Sequence, residues 1–422
     1  MLDIKFIREN KDLIALGAKK KLIEFDVEEL LAVDLKRREL MQSMEAKKAE
    51  QNSYNERIAM SASSSDARAE LIAQMKVIKD EFQKQEEVLK GIMKTWQSLM
   101  LQVPNVPDIS VPDGFSDADN KEVKVWGEIP KFDFEPKDHM TLMRDLDMLD
   151  QERGAKVAGF RGYFLKNDAV NLQFALWNFV RDYFSDKGFS QMIVPSMVNR
   201  ESFLGTGYIP QSEDDLYKTQ DGEYLSGTAE VATMGYHMDE ILDKKDLPMK
   251  MLSFSPCFRR EIGAHGKDTK GILRVHEFYK WEQVVLCEAS HTESVKFHEE
   301  ITALSEGIMQ ALGLPYHVVA NCGGDLGLGQ VKKYDIEAWM PSEKKYRETG
   351  SASYFHDFQT RRLNIRYKDD DGKTKFVHSL NNTALSGRPL IMIVENYQQA
   401  DGSIKIPPIL QKYFGKDVIR KA

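Results

Sequence analysis

From Leu71 to Leu99 the apolar positions advance in alternating steps of four and three residues: Leu71, Met75, Ile78, Phe82, Leu89, Ile92, Trp96 and Leu99, with Gln85 as the polar member. This is the a/d period of a helix that buries one narrow seam. Upstream, Leu30, Val33, Leu40, Met44, Tyr54 and Ile58 keep the same step when Arg37, Lys47 and Gln51 fill the gaps. Between the seams, Ser61-Ala62-Ser63-Ser64-Ser65 makes a polar tip, and Asp66 is placed to cap the second helix. The pattern predicts an antiparallel helical hairpin. Each arm of about 35 residues would extend roughly 50 Å at 1.5 Å per residue.

Past this hairpin the period changes. Pro104, Pro107, Pro112 and Gly114 predict a linker over about 104–120, dividing an arm (1–103) from a larger domain (104–422). Val170–Lys187 carries Leu172, Leu176, Phe179, Val180, Tyr183 and Phe184 at helical spacing and should stop at Gly188, before a short strand over Phe189–Pro195. Further on, Pro256–Glu261 and Arg274–Glu282 flank the polar stretch 263–270. They read as an antiparallel hairpin with an Arg and a carboxylate at each shoulder, suited to holding a nucleotide, or as a surface hairpin with ordinary ion pairs. The predicted class is α+β: a largely antiparallel sheet flanked by helices, joined to an N-terminal antiparallel coiled coil.

With 422 residues, 42% of them hydrophobic, the chain can bury more than one core. Its net charge of −8 argues against general coating of nucleic acid, yet residues 27–100 hold 12 basic and 13 acidic side chains, so the arm is nearly neutral. A long projection of that kind suits reading an extended RNA by shape and backbone contacts. Cys257, Cys287 and Cys322 form no C-x-x-C, so neither a disulfide framework nor zinc is signalled. Charges at Asp3, Lys5, Arg8 and Glu9 exclude an apolar leader, and no apolar run reaches membrane-spanning length; the expected setting is the reducing cytoplasm.

Thr228 and Glu230 place a hydroxyl and a carboxylate two residues apart. On a strand they would share a face and could bind an ammonium group; the same spacing also marks a capped helix start. Pro389, just after Arg388, fits a first helical turn.

Several of these stretches carry a resemblance. Pro256-Cys257-Phe258-Arg259-Arg260-Glu261 with Arg274–Glu282 resembles motif 2 of the class II aminoacyl-tRNA synthetases. The helix and strand over 170–195 resemble motif 1, and Leu385-Ser386-Gly387-Arg388-Pro389-Leu390 resembles motif 3. Thr228-Ala229-Glu230, Leu2–Asn10 and Asp357-Phe358-Gln359-x-Arg361-Arg362 are similar to the seryl-tRNA synthetase family of bacterial type, in the expected order over nearly the whole chain.

The resemblance implies a class II catalytic domain that makes seryl-adenylate from serine and ATP, then passes the seryl group to the end of serine tRNA, and serylates selenocysteine tRNA where a host has one. It implies a homodimer, and Mg²⁺ held by Glu348 and Ser351. Arg259 would hold the serine carboxylate and the α-phosphate, with Glu261, Glu348 and Arg388 completing the catalytic set. Thr228, Ala229, Glu230, Glu282, Asn381 and Thr383 would line the serine site. Arg260, Val275, Phe278, Thr349, Gly350 and Ser351 would join the ATP contacts, Phe278 by stacking on the base. Read without the motifs, Phe278 is a core residue and Glu348 a solvated strand end.

The sequence departs from the family pattern in places. The common Glu-x-Ser-Ser-Cys-Ser-Asn series is Glu348-Thr349-Gly350-Ser351-Ala352-Ser353-Tyr354 here. Arg260 replaces a frequent Ser, Gly227 a frequent Pro, and the stretch from Thr383 to Arg388 is one residue shorter. Two rival readings are a catalytically silent relative that binds tRNA or protein through the arm, and a ligase that loads an amino acid onto a carrier protein, which would be expected to lack so long an arm.

Overall fold

The computed structural model describes residues 1–61, 66–262, 268 and 271–421. All of the predicted tip 61–65 except Ser61, and most of the stretch 263–270, lie outside the described residues. The chain forms two compact units, one of residues 2–19 and 23–104, the other of residues 1, 20–22 and 105 onward.

In the first unit, short helices α1 (Ile4–Glu9) and α2 (Lys11–Lys20) precede two long ones, α3 (Val27–Met60) and α4 (Asp66–Gln102). The Asp26 carboxylate caps α3 by accepting from the N–H groups of Glu28 and Glu29 at 2.9 and 3.1 Å. Asp66, predicted as a cap, is instead the first described helical residue of α4. All nine seam positions of α4 are partly shielded, and most of the residues between them are exposed. The polar Gln85 is accommodated because its amide donates to Ser43 Oγ across the seam at 3.0 Å. Arg37 likewise earns its seam position by lying 4.7 Å over the Trp96 ring. One feature escapes the apolar pattern: fully buried Asp34 is surrounded by Arg8, Arg37 and Arg38 at 3.5, 2.8 and 3.2 Å.

The second unit is built on eight strands. In chain order they are β1 (Lys121–Trp126), β2 (Ser190–Ile193), β3 (Met249–Phe258), β4 (Glu277–Cys287), β5 (Tyr316–Ala320), β6 (Lys332–Met340), β7 (Lys345–His356) and β8 (His378–Leu385). Their spatial order is β1-β5-β6-β7-β8-β4-β3-β2, antiparallel throughout except for the β2–β3 edge. The predicted hairpin is β3–β4, with Phe258 opposite Glu277 at its mouth. The predicted helix is α5 (Asp168–Tyr183), which begins two residues early and ends at a turn that closes with Gly188 at φ 76°. Helices α6 (Ala229–Gly235), α7 (His291–Ala311), α8 (Phe358–Leu363) and α9 (Arg388–Asn396) complete the elements that bear on the site.

Helix α7 covers one sheet face. Gln283 and Asn382 point to it, donating to Ser305 Oγ at 3.0 and 2.9 Å. Because side chains alternate along a strand, their neighbours Glu282, Asn381 and Thr383 point to the opposite face, which is left open for a site. The stretch 104–120 is tied down, unlike a loose linker: Asp108 N–H donates to Val331 O at 2.9 Å, and its carboxylate accepts from the Tyr354 hydroxyl at 2.8 Å.

Candidate active site

Strand register assembles the site. Glu282 on β4 stands directly opposite Thr383 on β8, after a bulge that skips Ala384. On β7, Ser351 pairs with Asp335 and Glu348 with Glu337 of β6, and a second bulge leaves Thr349 as the extra residue. Residues three apart on a regular strand face opposite ways. The bulge puts Glu348 and Ser351 on one face instead.

Two cavities open on that face and share Arg259, Lys280 and Ser351 as walls. The first is lined by Thr228, Glu230, Glu282 and Asn381. Its Thr-Ala-Glu segment is a helix start and not a strand: Thr228 caps α6, its hydroxyl accepting from Glu230 N–H at 3.4 Å. Both side chains nevertheless reach the cavity. The Glu230 carboxylate accepts from Gln359 at 2.7 Å and from the Tyr208 hydroxyl at 3.2 Å. Burial first, and the Glu282 charge second, push its pKa up to about 7 against Gln359, Lys280 and Tyr208. Lys280 supplies the cation between the acids, meeting the Glu282 carboxylate and donating to Thr228 Oγ1 at 2.9 Å.

The second cavity is lined by Arg259, Glu261, Val275, Phe278, Glu348, Thr349, Gly350, Ser351, Thr383 and Arg388. The Arg259 guanidinium lies 5.3 Å over the Phe278 ring and donates to Gly227 O at 3.3 Å. Glu261 adopts φ 57° and accepts from Arg274 at 2.5 Å. Arg388 begins α9 with Pro389 in its first turn, and donates to Glu348 O at 2.6 Å and to its carboxylate at 3.3 Å. Burial raises the Glu348 pKa, but Arg388, Lys333 and Arg259 outweigh it and hold the group below the usual carboxylate range. Neighbouring Asp335 moves the other way, raised by burial against the pull of Lys333.

Two expected residues are not brought to either cavity. Ala229 is buried within the first turn of α6. Arg260 turns aside to donate to Asp214 O at 2.8 Å. Sequence reasoning missed Lys280, Gln359 and Tyr208. Lys280 carried a signal in its position two residues before Glu282 on a strand, and Gln359 in the Asp357–Arg362 segment that bears the resemblance; Tyr208 carried none.

The departures also find places. Ala352 and Tyr354 face the core, so their replacements leave the cavity wall untouched. Gly350 does face it, and a Cβ there would come within 3.0 Å of Thr383 Cβ. The Thr383 side chain takes up the room that a residue larger than glycine at 350 would need.

Among the described residues no cluster of three or more His, Cys, Asp or Glu is suited to a metal. Glu348 and Ser351 offer two oxygen donors on one wall. That fits a Mg²⁺ that keeps most of its waters and is shared with substrate phosphates better than a closed protein cage. No helix among the described residues is long and apolar enough to cross a membrane.

Residues 1–107 match the family model of the seryl-tRNA synthetase N-terminal domain, and residues 213–397 that of the class II tRNA synthetase core domain (G, H, P, S and T). The chain is 42% identical over 426 residues to the serine–tRNA ligase of Thermodesulfovibrio yellowstonii, covering 100% of both chains. It is 42% identical over 417 residues to that of Deinococcus radiodurans, covering 98% of each. The seryl-tRNA synthetase of Pyrococcus horikoshii, solved with ATP, superposes with a TM-score of 0.93 at 38% identity over the full length of both chains. The cytoplasmic serine–tRNA ligase of Naegleria fowleri, solved with AMP, does so with 0.88 at 30% identity, covering 100% of this chain and 99% of that one. With full-length identity at this level and both family models matched, the chain belongs to the seryl-tRNA synthetase family.

Proposed function

We propose that the chain is a serine–tRNA ligase that activates L-serine with ATP and transfers it to serine tRNA. The observation that carries this reading is the placement of Arg259 on the wall shared by the two cavities. A planar guanidinium there can hold a carboxylate and an α-phosphate together, which lowers the barrier by positioning. A serine carboxylate oxygen attacks the α-phosphorus, the bond to the β-phosphate oxygen breaks, and pyrophosphate leaves. The terminal ribose hydroxyl of the tRNA then attacks the seryl carbonyl, and AMP departs.

Glu230 and Thr228 would face the serine ammonium, Asn381 the same pocket, and Glu282 would accept from the serine hydroxyl with Thr383 behind it. A site built to pair a hydroxyl rejects the analogue lacking one by roughly 10⁴–10⁵, because its buried polar groups are left unpaired. On the nucleotide side, Phe278 would stack on the base, Val275 would border it, Glu261 would contact the nucleotide, and Arg388 would lean on the γ-phosphate. Glu348 and Ser351 would hold Mg²⁺, which neutralises phosphate charge when bound. The arm would take up tRNA, selenocysteine tRNA included.

A homodimer is part of this reading. Ile193 is 84% and Phe174 62% exposed, beside an apolar cleft of about 690 Å³ lined by Phe164, Phe174, Trp177 and Tyr279. Apolar surface of this kind favours a covering partner. The cytoplasm is the matching setting. A silent relative would have no need of the assembled pocket.

The test is serine-dependent exchange of labelled pyrophosphate into ATP without tRNA, with alanine and threonine as competitors. Exchange with serine that disappears in Arg259→Ala supports the proposal. No exchange with any amino acid from the folded protein rejects it.

A further inference from the structure

The amino-acid cavity has a wall that none of the motifs describes. Gly327, Leu328, Gly329 and Gln330 line it as a short turn before β6, closed by Gln330 N–H donating to Gly327 O at 3.2 Å. On the cavity side, the Gln330 amide donates to Ser353 Oγ on β7 at 2.8 Å, and its oxygen accepts from Gly327 N–H at 2.6 Å. Two glycines in four residues give this turn little side-chain packing of its own. Something else must hold it.

That support comes from two distant residues. Lys21 is buried, and its ammonium donates to the carbonyls of Gly327, Leu328 and Gln330 at 3.0, 2.9 and 2.5 Å. Buried Asn105 covers the carbonyl that remains, its amide donating to Gly329 O at 2.9 Å, while its own N–H donates to Leu328 O at 2.9 Å. The same amide donates to Phe355 O at 2.8 Å, tying the turn to the end of β7. All four consecutive carbonyls are therefore engaged. An ammonium has three N–H bonds, and each finds a carbonyl, which is how a lysine can be buried without a carboxylate partner. Burial alone lowers its pKa well below the ordinary lysine value.

Lys21 touches neither cavity, so a role in core stability alone would place it anywhere. Its donors instead converge on a turn that lines the same cavity as Glu230, Lys280 and Glu282. We infer that Lys21 and Asn105 are positioning residues that hold the Gly327–Gln330 turn as the fixed wall of the amino-acid pocket, setting serine affinity and the volume that excludes a larger side chain. The inference rests on the reading that this cavity binds the amino acid.

The experiment uses the full chain carrying Lys21→Met, Lys21→Arg or Asn105→Ala, with pyrophosphate exchange measured against serine, ATP and threonine. Lys21→Met removes every donor at nearly constant length, while Lys21→Arg keeps a cation and donors. The expected result is a serine KM raised about tenfold in Lys21→Met and Asn105→Ala, an unchanged ATP KM, a gain in threonine-dependent exchange, and partial recovery in Lys21→Arg. An unchanged serine KM in folded variants would overturn the inference. So would a parallel rise of both KM values, or a lowered melting temperature with unaltered kinetics, since those describe general support. If Lys21→Met does not fold, Asn105→Ala and Lys21→Arg decide by the same split. Wild-type protein that shows no serine-dependent exchange would refute the underlying reading of the cavity, an outcome distinct from the others.

Discussion

Lys280 and Glu282, two residues apart on one face of β4, bring an ammonium and a carboxylate into contact on the wall of the cavity that also holds Thr228 and Glu230, and both are buried. Breaking such a pair from one side leaves an uncompensated charge, at a cost of roughly 3–5 kcal/mol. Lys280→Met should therefore destabilise the protein by about that amount and reduce serine-dependent exchange by about a hundredfold or more. Adding Glu282→Gln should return part of the stability but none of the activity. Denaturant unfolding and exchange assays on the single and double variants check both statements.

Glu230 gives a pH signature. The unfolded carboxyl releases its proton near 4.5, whereas the folded one keeps it to about 7. In that window the folded state binds more protons, so stability falls as pH rises from 4.5 to 7 and levels off above. Serine affinity should run the opposite way, improving as Glu230 ionises to meet the substrate ammonium. Glu230→Gln should flatten both profiles, read by thermal unfolding and by serine KM across the same range.

His317 is the counter-case at the sheet edge. Its ring nitrogens lie 2.8 Å from Glu122 of β1 and 2.7 Å from Glu337 of β6, and Tyr346 stacks on it at 4.1 Å. Burial lowers its pKa, but hydrogen bonds to the two carboxylates overcome this and raise it above the ordinary 6.5. The stabilisation is complete below 6.5 and is lost as pH rises through the higher folded value. Protection of the β1 amides, with rates corrected for the intrinsic rise of exchange with pH, should therefore weaken as pH rises above 6.5, and His317→Gln should remove that weakening.

Tyr354 separates core from site. Its hydroxyl donates to Asp108 at 2.8 Å on the face away from the cavity. Tyr354→Phe should cost about 1 kcal/mol of stability. Exchange should stay within about twofold of wild type, whereas Ser351→Ala, on the open face, should reduce it markedly. Equal effects from both changes would mean the face assignment is wrong.

Much of this was legible beforehand because it is local. The arm's seam repeats over many residues, and even its polar members were placed correctly, since Gln85 and Arg37 find partners across the seam. The β3–β4 hairpin and the Arg388–Pro389 helix start follow from adjacent residues. Thr228-Ala229-Glu230 was ambiguous, because a hydroxyl two residues before a carboxylate serves a strand face and a helix cap alike, and the cap won. Lys21 had no local signal at all: its partners lie more than 300 residues away. The bulge that turns Glu348 toward Ser351 likewise shows only in the pairing of β7 with β6.

The two faces of β7 bear on how divergence in this family should be judged. Compared letter by letter, the segment from Glu348 to Tyr354 looks eroded, and a tally of mismatches would sort the chain with the pseudoenzymes. Sorted by face, two of the three replacements, Ala352 and Tyr354, concern only interior packing, and the third, Gly350, is matched to the bulk of Thr383 on the next strand. On the proposed function, chemistry depends on one side of this strand and folding on the other, so inactivity in a diverged member is better inferred from losses on the open side alone.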